Sequence, residues 1–119
     1  MQLYSKDAPS ETRHLQIEDS TLSEYQHFFY GSEQDTIPIL FLARYWKEFD
    51  LFRPFVEEAI TLVETEVFQT TPIFKGMSLQ ATMTLLEAKE LKGFVRYRFE
   101  LLLPNDNSVR QTFIKWVEK

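Results

Sequence analysis

The densest run of apolar side chains lies between Thr36 and Phe52, TIPILFLARYWKEFDLF. Ile39, Leu40, Phe41, Leu42, Ala43, Tyr45, Trp46, Phe49, Leu51 and Phe52 take up most of the circumference of a 3.6-residue helix. That spread predicts a helix buried on nearly every side, with Arg44, Lys47, Glu48 and Asp50 on a narrow solvent stripe. Pro38 suits a first helical turn because its missing N–H would be unpaired there, and Arg53-Pro54 ends the run. About 14 residues give roughly 21 Å of helix. This is too short and too charged to span a bilayer.

Upstream the pattern is weaker. Arg13 to Asp19 alternates, with Leu15 and Ile17 on one side, as a short strand does. Thr21-Leu22-Ser23-Glu24 reads as a capping box opening a helix. Leu22, Tyr25, Phe28 and Phe29 form one stripe along it, and Gly31 sits where a left-handed C-cap is wanted. Ser32 to Asp35 links this helix to the apolar one. Residues 1 to 12 are polar, carry Pro9 and show no periodicity, which predicts a loosely held start before a single domain from 13 to 119.

After Pro54 the period changes to two. Ile60 to Thr70 is rich in β-branched and aromatic residues, and Met77, Leu79, Ala81, Met83 and Leu85 alternate with polar partners. Thr71 to Gly76 between them reads as a bend, with Pro72 unable to donate to a ladder. Lys92-Gly93 closes a hairpin into Phe94 to Leu103, where Val95, Tyr97, Phe99 and Leu101 oppose Arg96, Arg98 and Glu100. Pro104 to Asn107 is a turn, and Val109 to Val117 a last strand. Short connections favour antiparallel neighbours.

Composition narrows the classes. The chain has 119 residues, 44% hydrophobic and 15% aromatic with eleven Phe, enough for one compact domain with a full core. Cysteine is absent, which excludes disulfides, thiolate metal sites and a Cys nucleophile. A net charge of −5 with scattered charges argues against nucleic acid or an anionic membrane as partner. The N-terminus has no basic-then-apolar secretion pattern, so a cytoplasmic location is expected. His14 and His27 have no metal-ligand spacing, and Gly31, Gly76 and Gly93 form no phosphate-cradling loop, so no cofactor is expected.

One long apolar helix followed by about five antiparallel strands predicts an α+β sheet wrapped around that helix, the hotdog fold. The competing architecture is the cone-like sheet of nuclear-transport-factor-like proteins. From Phe68 to Glu118 the chain resembles the MaoC-like hydratase and dehydratase branch of hotdog proteins. Thr71-Pro72-Ile73-Phe74-Lys75-Gly76-Met77 is similar to that family's Arg-Pro-hydrophobic-aromatic-X-Gly-Asp turn. Leu15 to Ile17, the helix from Leu22 and the Ile37-Pro38 step resemble the family's opening.

The resemblance implies an acyl-thioester substrate, carried by coenzyme A or an acyl carrier protein, and an Asp and His acting as acid and base on one water. In the matching stretch, Gly31 to Leu40, Asp35 or Glu33 stands for the Asp, but Ile39, Leu40 and Phe41 fall where the His belongs. Met77 replaces the turn Asp. The weak catalytic candidates are therefore Asp35 and His27, against bland readings as a cap of the apolar helix and a surface helix residue. Thr36, Tyr45, Arg96 and Arg98 are the candidate ligand contacts. Arg96, Arg98, Arg110 and Lys115 would share one outer face, either paired with Glu100 and Glu118 across strands or holding the phosphates of an acyl carrier.

Three functions follow. The first is a thioester-binding subunit without its own Asp and His pair, in a homodimer or in a heterodimer with a similar domain. The second is an active hydratase, dehydratase or thioesterase with an unconventional site. The third is a structural or regulatory interaction module.

Overall fold

A computed structural model of the chain describes residues 9–117. In chain order the elements are β1 (Ser10–Leu15), α1 (Asp19–Tyr30), a 3-10 segment (Ile39–Glu48), a 3-10 turn (Arg53–Phe55), β2 (Thr61–Phe68), β3 (Leu79–Leu91), β4 (Phe94–Leu102), a 3-10 turn (Pro104–Asp106) and β5 (Ser108–Trp116). The strands form one antiparallel sheet in the order β1-β3-β4-β5-β2.

Register fixes which side chains meet. Ala81, Met83 and Leu85 on β3, Phe99 and Leu101 on β4, and Val109 and Phe113 on β5 lie on one face and are buried. Alternation of this kind is what an antiparallel sheet with one covered and one wet face requires. The cover comes from α1 through Leu22 and from the 3-10 segment through Ile39, Phe41, Leu42 and Trp46, which join the same core cluster. Phe52 packs against Phe99 and Phe113, with ring centroids 5.1 and 5.5 Å apart.

The fold expectation is corrected here. Among the described residues there is no long apolar helix: residues 39 to 48 wind as 3-10 turns, and the chain turns again at Phe49 to Phe52. The segment lies on the sheet and is not enclosed by it; Leu40 is 51% exposed, and Arg44, Lys47 and Glu48 also face solvent. The described residues form mostly a five-stranded sheet with one α-helix and one longer 3-10 segment against it, so the fold is not a hotdog wrapped around a central helix. The error has a physical source. A count of apolar residues around a helical wheel measures composition, whereas enclosure depends on how much sheet is available to curl around the segment.

Smaller corrections follow from the backbone. β1 starts at Ser10, inside the stretch expected to be loosely held; residues 1–8 of that stretch lie outside the described residues. The capping box does not form, because α1 begins at Asp19 and the Thr21 hydroxyl donates to Glu18 Oε2 at 3.0 Å instead. Gly31 does end α1 in the left-handed region, φ 76°, its N–H donating to the His27 carbonyl. Gly93 closes the β3–β4 hairpin with φ 91°.

Candidate interaction surface

Among the described residues no hydrogen bond or ion pair joins the expected acid and base. His27 is exposed on α1 and Asp35 is exposed in the loop beyond it, where the Asp35 carbonyl accepts the Lys75 N–H at 2.9 Å. Asp35 does not cap the following segment, whose N-cap is Pro38 without a side-chain bond. His27 lies instead near Glu33, whose carboxyl is held below the usual range first by the Ser23 hydroxyl and then by Lys75 and His27. His14 is exposed on β1, 3.5 Å from the Ser78 hydroxyl.

The ligand candidates fall in three places. Thr36 bridges to Phe74 and gives its carbonyl to Gln26. Tyr45 accepts the Glu18 N–H at 3.4 Å and packs on Phe41. Arg96 and Arg98 alone come together, on the open face of the sheet, where they line a cleft of about 400 Å³ with Val63, Glu64 and Thr112. Arg96 and the neighbouring Arg110 are engaged, each donating through Nε at 2.7 Å to Glu87 and Glu100, whereas Arg98 lies 3.7 Å from Glu66 without a hydrogen bond. Lys115 belongs elsewhere, since its register opposite Val95 puts it on the covered side, bound to Glu58. Glu118 lies outside the described residues. Among the described residues no three His, Asp or Glu side chains gather as a metal site would require.

Three buried amides brace this frame, and the sequence reading passed over all of them. Gln26 donates to the Gln34 and Thr36 carbonyls at 3.1 and 2.9 Å and accepts the Gln34 N–H, clamping the loop after α1. Gln111 accepts from the Trp46 indole and donates to the Thr65 hydroxyl, joining the 3-10 segment, β5 and β2. Asn107 accepts the Thr70 N–H at 2.7 Å and donates to the Thr71 carbonyl at 2.9 Å. A polar residue at an inward strand position, as at Gln111 between Val109 and Phe113, is the signal that was available in the sequence.

The sheet has two edges, and they differ. β1 turns Glu11 and Arg13 toward the covered face, where Glu11 accepts the Leu51 N–H at 2.8 Å and Arg13 reaches Asp50 at 3.0 Å. Inward charge is one way a sheet blunts an edge. β2 turns no charge inward, and its one irregularity is a bulge between Leu62 and Glu64. Seven of its eight residues are exposed, including Leu62, Val63, Val67 and Phe68, the first two at 48% and 51%. Opposite Phe113, Gln111 and Val109, the residues Leu62, Thr65 and Val67 share the covered face of the sheet, yet α1 and the 3-10 segment do not reach over them. Glu64, Glu66 and Phe68 point to the open face, where Arg110 lies 5.4 Å from the Phe68 ring.

Fold and surface together define a small two-layer α+β domain with one blunted and one bare sheet edge. Comparison with known proteins then places the chain: it belongs to the family described as "Uncharacterised conserved protein VraC", whose model matches residues 1–117. Protein VraC of Staphylococcus haemolyticus is 32% identical over 114 residues, covering 92% of this chain and 90% of that protein. Protein VraC of Staphylococcus epidermidis is 27% identical over 119 residues, covering 97% and 98%. This membership overturns the MaoC-like resemblance, and with it the dehydratase, acyl-coenzyme A and fatty-acid associations it carried.

Proposed function

We propose that this chain is a non-catalytic interaction module that holds another polypeptide along the β2 side of its sheet. The observation that carries the reading is the difference between the two edges: β1 turns charge inward, whereas β2 turns none inward and leaves Leu62 and Val67 exposed on one face and Glu64 and Glu66 on the other. Unpaired N–H and C=O groups along such an edge are a template for a further strand. The lack of any hydrogen bond or ion pair joining His27 to Asp35, and the position of Tyr45 against Glu18 and Phe41, support the non-catalytic part.

The test is site-specific photo-crosslinking in cells, with the reactive side chain at Val63 or Val67 on β2 and at Thr12 on β1. Discrete adducts are expected from β2 and none from Thr12. In parallel, the purified chain is incubated with an enoyl thioester and followed by ultraviolet absorbance, which should stay constant. Adducts from Thr12 alone would overturn the β2 assignment, and loss of the enoyl absorbance would overturn the non-catalytic reading.

A further inference from the structure

Resting on that reading, the geometry points to one occupant for β2: an extended segment of a different polypeptide in which basic and apolar residues alternate, added as a sixth strand. The open-face side chains of β2 are acidic, Glu64 and Glu66 two positions apart. Among the described residues Glu64 has no ion-pair partner, and Glu66 has only Arg98 at 3.7 Å, beyond hydrogen-bond reach. The covered-face side chains, Leu62 and Val67, are apolar and exposed. On an added strand, the residues directly opposite stand on the same faces at about 5 Å between Cβ atoms, where opposite charges stabilise and like charges repel. The complementary segment therefore carries Lys or Arg toward Glu64 and Glu66, and aliphatic side chains toward Thr65 and Val67, the regular alternation ending at the bulge between Leu62 and Glu64.

The same rule argues against a second copy of this chain. Residues facing each other across an antiparallel pair share a face. Registers that overlap most of β2 about a two-fold axis then set Glu64 opposite Glu66 of the second copy, or set one of these residues opposite itself. The net charge of −5 adds a general repulsion between copies and a general attraction for a basic segment.

Three capped octapeptides test the inference: lysine alternating with valine, the same composition with its lysines contiguous, and glutamate alternating with valine. Affinity is read by fluorescence anisotropy and the site by amide shifts in nuclear magnetic resonance spectra. The alternating basic peptide should bind, move the amides of Thr61 to Phe68, and weaken with salt. Its affinity should fall about tenfold in a Glu64→Lys, Glu66→Lys double variant, which should gain the acidic peptide. Equal binding of the contiguous or the acidic peptide to the unmodified chain, or shifts centred elsewhere, would overturn it. So would a concentration-dependent dimer in sedimentation that Val67→Lys abolishes, since the occupant would then be a second copy. If β2 crosslinks form in cells while no basic peptide binds, the occupant's chemistry fails and the interaction module stands. If neither occurs, both fail.

Discussion

Asn107 ties the β4–β5 turn to the end of β2 through a single side chain. It is fully buried, and its amide serves both the Thr70 N–H and the Thr71 carbonyl. Removing it leaves backbone groups without partners in a part-buried site, which costs more than a typical hydrogen bond adds. Asn107→Ala is expected to lower stability by about 2 kcal/mol, read by urea denaturation; a loss below a few tenths would show that water replaces the amide at no cost. The turn itself was readable from Pro-Asn-Asp-Asn. Which of the two asparagines would be buried was not, because both suit a turn and only the approach of Thr70 from another strand selects Asn107.

Glu11 works at the same scale through its charge. Burial pushes its carboxyl up, but hydrogen bonds from Arg13 and from the Leu51 and Asp50 backbone outweigh this and hold it below the usual value of 4.5. A carboxyl lowered in the folded state adds stability above its unfolded value, and that stability is lost as pH falls through the folded value. Melting temperature should therefore drop on acidification below about pH 4.5 as β1 loses its tie to the Asp50 turn. Glu11→Gln should start lower at pH 7 and fall less between pH 5 and 3, by roughly the share this one group carries. Equal slopes for the two proteins would assign the acid sensitivity to other carboxylates, Glu33 among them.

At the scale of elements, the contrast is between strands that look alike in sequence. β2 and β4 are both rich in apolar and β-branched side chains, yet Leu101 on β4 is fully buried and Leu62 on β2 is half exposed. Leu101→Ala should cost about 3 kcal/mol, the transfer of the lost atoms plus a cavity that cannot collapse. Leu62→Lys should stay within about 0.5 kcal/mol, as surface changes do. Thermal unfolding of the two variants decides the matter, and a large loss at Leu62 would mean that β2 is part of the core and not a free docking edge. The 3-10 segment is the opposite case: Ile39, Phe41, Leu42 and Trp46 promised an enclosed helix and instead form a one-sided cover, held to β5 by the Trp46–Gln111 bond.

At the scale of the whole molecule, the sheet has three surfaces with three chemistries. One face is roofed by α1 and the 3-10 segment. The other is wet and carries the Glu87–Arg96 and Glu100–Arg110 pairs across neighbouring strands. Such exposed pairs each contribute little to stability, but they occupy the cations that would otherwise offer a phosphate site. That leaves Arg98, loosely held beside Glu66, and the acidic edge of β2 as two places where polar surface groups are not already satisfied.

The sequence by itself determined the strands from Thr61 onward and, on β3 and β4, which of their side chains share a face. It also placed the Gly31 end of α1 and the Gly93 hairpin, but not the inner face of α1: Phe28 and Phe29, expected on its apolar stripe with Leu22, are exposed. The features it placed depend on φ and ψ at neighbouring residues and on a period of two or of 3.6, which are local properties. Only the tertiary structure decided that residues 39 to 48 lie on the sheet instead of within it, that β2 and not β5 stands at the edge, and that Gln26, Asn107 and Gln111 are buried. Strand order and cover depend on segments far apart in the chain competing for the same sheet, and no window of sequence contains both competitors.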